Sequence, residues 1–200
     1  DAGLAVPHDL AKIPNQQGTL PQFRDLAQVR GVERDGKVYG IPFAFDSIGL
    51  IYDTTKVDPP PTSMNVLWDP KYQGRILLYD ASAHNFSFAA LAEGIENPFD
   101  LTDAQLAEIK GKLIQLQKNA LSYYQSSDEA LQIYNSNDVA LIFANFGQQQ
   151  LKLMKDSGAP IAYVVPKEGA LAWLDTWALS KGAKNPELAE KWVNFVLQKE

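Results

Sequence analysis

Two tryptophans and an aspartate alternate in the segment LAWLDTWAL, residues 171–179. Alternate side chains of an extended strand lie on one face, so Trp173, Asp175 and Trp177 are predicted to share a face. A carboxylate buried there without a partner costs roughly several kcal/mol. A cationic amine suits this arrangement, because the carboxylate accepts charge-assisted hydrogen bonds and the indole rings supply cation–π contacts. A salt bridge from Asp175 to a lysine or arginine of the protein is the alternative.

Other aromatic side chains also have polar neighbours along the chain. Phe43 and Phe45 come just before Asp46, and Phe143 comes shortly before Asn145. Taken one at a time, each of these rings is better explained by core packing than by contact with a ligand. Only in combination with the Trp–Asp–Trp strand do they become candidates for a binding site.

The sequence contains no combination of side chains typical of an enzyme. The two histidines, His8 and His84, are not spaced as zinc ligands, and the chain has no cysteine. The Walker loop, the G-x-S-x-G nucleophile turn and the G-x-G-x-x-G dinucleotide loop are also missing. Acidic neighbours such as Asp128 and Glu129 are explained by the preference of helix N-termini for negative charge. The sequence therefore predicts no catalytic residue, no metal and no cofactor.

Charge and composition narrow the classes of partner. Of the 200 residues, 46% are hydrophobic and 21% are charged, which is ordinary for a globular protein. The formal net charge of −6, without a stripe of Lys and Arg, argues against nucleic acid as a partner. No apolar run approaches the roughly 20 residues of a transmembrane helix. The opening segment DAGLAVPHDL has neither an initiator methionine nor a charged-then-apolar leader, so we expect a mature, processed or truncated chain.

Short apolar strands that alternate with helical segments must position these residues. Strands are predicted at 47–53 and 75–80, in the segments DVALIFANF and PIAYVV, and at 171–179. A D-G turn in DGKVYGIPFAF, followed by extended residues, predicts a hairpin or the entry to a strand, and PQFRDLAQVRG predicts one short helix. Strands alternating with helices are typical of an α/β fold with largely parallel sheets.

Two helices carry clear start signals. Thr102 and Gln105 form a capping-box pattern, and Asn185 followed by Pro186 predicts the beginning of the last helix. The apolar positions of that last helix are predicted to form a buried stripe of Leu188, Trp192 and Phe195.

The segment VPKEGALAWLDTWALSKGAKNPELAEKWVNFVL (165–197) combines a P-K-E-G turn, W-x-D on a strand and GAKNPE at the start of a helix. It resembles the corresponding stretch of the bacterial periplasmic polyamine-binding proteins, the spermidine/putrescine receptors of ABC importers within the type II extracellular solute-binding proteins. YGIPFAFDSIGLIYDTTKV (39–57) resembles the strand that leads out of the family's first lobe. LWDPKYQGRILLYDA (67–81) resembles its tryptophan-led linker and the first strand of its second lobe.

The resemblance implies an α/β fold of two lobes that close over a ligand in the cleft between them. Each lobe is expected to be a mostly parallel sheet flanked by helices. On this basis lobe one comprises residues 1–55 and 168–200, and lobe two comprises residues 56–167. Family members are markedly longer at both ends, so lobe one is expected to be incomplete in this chain.

The resemblance also implies the ligand contacts. Trp173 and Asp175 match the W-x-D residues that stack on and pair with the amine, and Phe143 is the closest match to an aromatic residue that lines the family's cleft. The predicted ligand-binding set also includes Asp46, Ser47, Ser82, His84 and Asn145.

The sequence departs from the family just after the LLYD strand. Asp80 is kept, but the family's acidic positions fall on Ala81 and His84. A ligand with two or three widely spaced amines would lose partners there. Spermidine is therefore disfavoured, and a monoamine, an amino-acid derivative or another small cationic solute is favoured.

The resulting hypothesis is a non-catalytic receptor that captures a small amine-bearing solute for the membrane permease of an ABC importer. We expect a monomer without cofactor, made with a signal peptide, and located in the periplasm or tethered outside the cell. One alternative is a receptor for another small solute, such as an amino acid or a sugar-conjugated amine. A transferase on the same lobe architecture and a structural or signalling protein with an exposed apolar patch are the rivals from other classes.

Overall fold

The computed structural model describes residues 3–198, which form two compact units. Unit 1 contains the described residues up to Phe45 and from Leu174 onward, and unit 2 contains Asp46–Trp173. Both passages of the chain between the units fall within strands. The lobe boundaries predicted from the sequence, after residue 55 and after residue 167, lie outside those strands and stay a prediction.

The elements alternate as the sequence predicts, and the α/β class is confirmed. The strands are β1 (Ala5–Val6), β2 (Glu33–Arg34), β3 (Lys37–Val38), β4 (Ile41–Asp53), β5 (Ile76–Tyr79), β6 (Ala120–Tyr124), β7 (Leu141–Ala144), β8 (Ile161–Val164), β9 (Leu171–Trp177) and β10 (Leu179–Ser180). The α-helices are α1 (Ser82–Ala92), α2 (Asp103–Leu116), α3 (Ser127–Ser136), α4 (Gly147–Asp156) and α5 (Pro186–Val196). Short 3₁₀ helices cover Leu10–Lys12, Pro14–Gly18, Pro21–Phe23, Leu26–Gln28, Met64–Trp68 and Pro70–Tyr72.

The main sheet is mixed, because β4 runs against β5, β6, β7 and β8. Its order is β6–β5–β7–β4–β8, and β9 also pairs with β4. β5 is parallel to β6 and β7, whereas β4 is antiparallel to β7 and β8. An α-helix precedes each of β6, β7 and β8 and returns the chain to the edge of the sheet from which β5 starts, so these strands run in the same direction as β5. β4 comes before the first α-helix and is not part of this series. The predicted parallel arrangement is therefore right for β5 to β8 and wrong for β4.

Helices cover both faces of the sheet in unit 2. Leu50 packs in a core cluster with residues of α1 and α2, and the next residue, Ile51, packs in a second cluster with residues of α3 and α4. The strands are apolar at successive positions because both of their faces are buried, as is usual for strands inside an α/β sheet. The capping box predicted at the start of α2 is confirmed, since the Thr102 hydroxyl accepts from Gln105 N–H and the Gln105 side chain accepts from Thr102 N–H.

Unit 1 has a small core of its own, built from 3₁₀ helices, the β2–β3 hairpin and α5. Asp35 and Gly36 form the hairpin turn with φ of 53° and 72°, so the predicted D-G turn is confirmed. The single short helix predicted in PQFRDLAQVRG is two separate 3₁₀ helices. The core residues are Ile13, Leu26, Val29, Val32, Val38, Ile41 and Val193.

The buried stripe predicted for α5 is wrong. Leu188, Trp192 and Phe195 are 61%, 51% and 63% exposed. The helix instead buries Val193 and Glu190, and Glu190 Oε1 accepts from the backbone N–H of Asp9 at 2.8 Å while Oε2 lies 3.4 Å from Lys12 Nζ. A helical repeat of apolar residues shows that they share a face but does not show what covers that face.

A buried carboxylate fixes the far end of β4. Asp53 is 2% exposed, and its Oδ2 accepts from the Tyr134 hydroxyl at 2.7 Å and lies 3.2 Å from Lys56 Nζ. Its Oδ1 accepts from the backbone N–H and the hydroxyl of Thr55. Burial alone would raise the pKa of Asp53, but the hydrogen bonds from Thr55, Tyr134 and Lys56 outweigh burial and hold this pKa below its ordinary value.

The start of α4 is held by a second carboxylate of the same strand. Asp46 Oδ2 accepts from the backbone N–H of Gln148 at 2.6 Å, which satisfies one of the free N–H groups of the helix end. Gly147 has φ of +54°, and a Cβ there would lie 2.5 Å from both Asp46 Cγ and the Ser47 carbonyl oxygen. Only glycine fits between the strand and the helix at this position.

We expect Asp53→Asn to lower the free energy of unfolding by about 2–4 kcal/mol at pH 7, because it breaks a buried, hydrogen-bonded ion pair. Because the folded pKa of Asp53 is lowered, its contribution is fully present above the unfolded pKa of about 3.9 and is lost as pH falls through the folded value. Urea unfolding from pH 7 to pH 2.5 measures the effect. The control is Asp138→Asn, which removes another carboxylate partner of Lys56 at an exposed position and should leave stability nearly unchanged. A loss that is equal at every pH would contradict this role of Asp53.

We expect Gly147→Ala to lower the free energy of unfolding by about 2–4 kcal/mol, the sum of a left-handed backbone and a steric collision. The matched control is Gly158→Ala after α4, where φ is +88° but nothing lies within 4 Å of the added Cβ. That variant should lose only about 1–2 kcal/mol. Urea titration of both variants measures the difference, and equal losses would show that the contact with Asp46 and Ser47 is unimportant.

Candidate functional site

One edge of the sheet in unit 2 gathers most of the predicted ligand residues. β5, β6 and β7 run in the same direction, so the residues that follow them and the helices that start there lie at one edge, where α/β folds usually bind ligands. Because β4 runs in the opposite direction, its first residues in unit 2 belong to this edge. The predicted residues found there are Asp46, Ser47, Ser82, His84 and Asn145.

His84 is held in one tautomer at this edge. It is half-buried in the first turn of α1, its Nδ1 lies 2.7 Å from Asn145 Oδ1, and its ring stacks on Tyr79 with centroids 5.6 Å apart. An amide oxygen only accepts hydrogen bonds, so the proton of the neutral ring is on Nδ1. Nε2 is left as an acceptor, and within residues 3–198 no group bonds to it.

Tyr124 fixes the backbone that carries Asn145. Its fully buried hydroxyl donates to the Phe143 carbonyl at 2.5 Å and accepts from the backbone N–H of Asn145 at 3.0 Å, with Gln150 Oε1 as a further acceptor at 3.1 Å. Burial raises the pKa of Tyr124, so the hydroxyl stays protonated and remains a donor. The bend after β7 is thereby fixed, and Asn145 is presented to His84.

Asp46 and Ser47 are used by the fold. Both carboxylate oxygens of Asp46 accept backbone N–H groups, from Ser47 at 2.7 Å and from Gln148 at 2.6 Å. The Ser47 hydroxyl lies 2.7 Å from the hydroxyl of Tyr163, which donates to the Ser47 carbonyl. Their predicted role in ligand binding stays a prediction, since neither side chain has its best hydrogen-bonding atoms free.

Asp80 and Ser82 are exposed between β5 and α1. Asp80 Oδ2 accepts from Gln125 Nε2 at 2.9 Å. Both residues border a groove of about 390 Å³ in unit 2, whose apolar wall includes Phe86 and Leu113. Asp80 is therefore the acidic side chain at this edge that remains open to solvent.

Phe143 lies in the core. Its ring is 0% exposed and packs on Phe88 with centroids 4.2 Å apart. This placement favours the packing explanation that each aromatic had from the sequence alone. Phe146, three residues further on, is the partly exposed ring after β7, and it packs edge-on against Tyr79 at 5.5 Å.

The W-x-D strand belongs to unit 2 up to Trp173 and to unit 1 from Leu174 onward. In unit 2, Trp173 is partly buried against the main core, and its indole N–H is buried without a hydrogen-bond partner. In unit 1, Trp177 lies 4.7 Å from Phe43 between ring centroids, and its indole N–H is also buried and unpaired. Both tryptophans therefore have packed rings, as the alternation of the strand predicts.

Asp175 is exposed, so the burial predicted for this carboxylate is wrong. Leu171 and Leu179, at the two ends of this face, are buried, whereas Asp175 in its middle is not covered by any of the described residues. Within residues 3–198 the side chain accepts no hydrogen bond and forms no ion pair, so the alternative of a salt bridge to a lysine or arginine is not seen either. The carboxylate of Asp175 has no structural partner.

Sequence reasoning missed the tyrosines that shape this edge in unit 2. Tyr79 stacks on His84, Tyr124 fixes the end of β7, and Tyr163 bonds to Ser47. A signal was available for two of them, because Tyr79 and Tyr124 are the last residues of their strands, where side chains reach the carboxyl edge of the sheet.

In the part of the chain that the structure describes, no cluster of three acidic or histidine side chains could hold a metal, and no helix has the length and apolar character of a membrane span.

Comparison with known proteins places this geometry in a family. The model for bacterial extracellular solute-binding proteins matches residues 1–200. The spermidine/putrescine-binding periplasmic proteins of Haemophilus influenzae (protein 1) and Escherichia coli are 30% and 31% identical over 82% and 80% of this chain. The aligned parts are 44% and 45% of those proteins, so the chain spans about half the length of the curated relatives it matches.

The structure leads to the same group of proteins. It is similar to the spermidine/putrescine ABC transporter substrate-binding protein PotD of Streptococcus pneumoniae, with a TM-score of 0.77 and 27% identity. The similarity covers 98% of this chain and 57% of that protein. The resemblance expected from the sequence motifs is thereby confirmed. This chain belongs to the family of bacterial extracellular solute-binding proteins.

Proposed function

We propose that the protein is a receptor for a small amine-bearing solute and delivers it to the membrane permease of an ABC importer. The observation that carries the proposal is the Asp175 carboxylate, which is exposed and has no partner within the described residues. An unpaired carboxylate on a strand with two tryptophans suits an alkylammonium group, which it binds through charge-assisted hydrogen bonds. The names of the Haemophilus influenzae and Escherichia coli relatives support this class of solute.

The side chains in unit 2 favour a small solute with few ammonium groups. The Asp46 carboxylate is satisfied by backbone N–H groups, and the position where the family pattern has a further acid is His84. Asp80 is the exposed carboxylate at that edge. Because each ammonium group needs an acceptor of its own, a triamine such as spermidine has too few partners here, and a monoamine, a short diamine or an amino-acid derivative is favoured.

The remaining parts of the proposal follow from this role. A receptor of this kind binds without turning its solute over, needs no cofactor, works as a monomer in the periplasm or tethered outside the cell, and has no nucleic-acid partner. The net charge of −6 suits a cationic solute, because it raises the local concentration of cations near the protein. Multiple turnover of an amine or amino acid in a metal-free sample would instead identify an enzyme.

We expect Asp175→Asn to weaken putrescine binding by about ten- to a hundredfold, because one charge-assisted hydrogen bond contributes about 1.5–3 kcal/mol. The melting temperature should not change, because Asp175 is exposed and bonds to none of the other residues between 3 and 198. Calorimetric titration and thermal melting of the same full-length variant separate the two effects. A lower melting temperature with unchanged binding would assign Asp175 to the fold.

Two further variants make this experiment specific. Asp100→Asn removes the same charge from an exposed position between α1 and α2 and should leave binding unchanged. Trp173→Phe keeps a packed ring but weakens the cation–π contact, so we expect a loss of a few-fold in affinity. Native mass spectrometry of the purified protein then identifies the solute that it carries.

A further inference from the structure

His84 is a histidine at the unit 2 edge, with one ring nitrogen bonded and the other open. Histidine ordinarily titrates between about pH 5 and pH 8, whereas carboxylates titrate well below this range. Its Nδ1 is committed to Asn145 Oδ1 at 2.7 Å, and its ring is held on Tyr79. Any further proton must therefore go to Nε2, the nitrogen that has no partner within residues 3–198.

We propose that His84 is a pH-dependent specificity residue, whose neutral Nε2 accepts a hydrogen bond from the amine and whose protonated ring rejects it. This inference rests on the proposed function. A neutral acceptor bonds one N–H of an ammonium group without adding charge. Once protonated, the same nitrogen becomes a donor and carries a positive charge that repels the cationic ligand.

The groups around the His84 ring determine how strongly its positive charge repels a cationic ligand. The ring lies in the first turn of α1. Its two ring contacts, Tyr79 and Asn145, are uncharged. The carboxylates at this edge are Asp80, which already accepts from Gln125, and Asp46, which is satisfied by two backbone N–H groups. Among residues 3–198 no carboxylate bonds to the ring, so none of them neutralises the imidazolium directly.

The same geometry explains why the site does not need a carboxylate at position 84. A glutamate has no N–H to donate and could not bond to Asn145 Oδ1, so the ring and the amide form a matched pair. With histidine in place of glutamate, position 84 has no permanent negative charge. It has instead a neutral hydrogen-bond acceptor, which is lost when the ring is protonated. A receptor built in this way holds its solute near neutral pH and releases it in a more acidic medium.

The test is calorimetric titration of the full-length protein with putrescine between pH 7.5 and pH 5.5. The ammonium groups stay charged over this range, because alkylamines titrate near pH 10. We expect the affinity of the wild-type protein to fall at least about tenfold, the equivalent of one charge-assisted hydrogen bond. His84→Gln should bind more weakly at pH 7.5 but with an affinity that does not change with pH. His84→Glu should bind putrescine more tightly than the wild type at pH 5.5.

Two controls assign the effect to His84. His8→Gln replaces the other histidine of these 200 residues, which lies in unit 1 and bonds to the Trp177 carbonyl, and should keep the pH dependence. NMR titration of the His84 ring gives a second readout, in which putrescine should move the titration midpoint to lower pH because ligand and proton compete for Nε2. Thermal melting at each pH confirms that every variant is folded.

The outcomes separate the inference from the function on which it rests. Putrescine binding that is equally tight from pH 7.5 to pH 5.5, or tighter at pH 5.5, overturns the role of His84 and leaves the amine receptor standing. Failure of every amine to bind the folded wild-type protein and both His84 variants overturns the receptor function, and the role of His84 with it.

Discussion

The buried hydroxyl of Tyr124 is the interaction on which the arrangement at the sheet edge depends. It joins the end of β6 to the end of β7, because it donates to the Phe143 carbonyl and accepts from the Asn145 N–H. The Asn145 N–H also donates to the Phe143 carbonyl at 3.1 Å, so the hydroxyl adds a second bond to each of these buried groups and reinforces the turn after β7. That turn places Asn145 beside His84, and the tautomer of His84 follows from it.

Strand β4 connects this edge to the opposite end of unit 2. Asp46 caps the start of α4 at one end of the segment, and Asp53 bonds to Tyr134 of α3 at the other. Both carboxylates satisfy groups that the fold would otherwise leave unpaired, which explains why two acids are kept on a strand that is largely buried. The antiparallel direction of β4 is what brings Asp46 to the edge where β5, β6 and β7 end, and Asp53 to the far end.

The use of these acids by the fold restricts the ligand chemistry. Each Asp46 oxygen already accepts one backbone N–H, so a solute bound there would share an oxygen that the fold also uses. In unit 2 the open side chains at this edge are the imidazole of His84 and the exposed Asp80. A site with few charges is suited to selecting small solutes, since it leaves additional ammonium groups without acceptors.

The sequence by itself determined the order of the elements, the capping box at Thr102, the D-G hairpin, the shared face of the W-x-D strand and the family. These depend on local propensity and on motifs, which act within a few residues of each other. Only the tertiary structure decided that β4 is antiparallel, that Phe143 is core, and that Asp175 and the stripe on α5 are exposed. Periodicity tells which side chains share a face, but whether that face is covered depends on residues distant in the chain, which no local pattern contains.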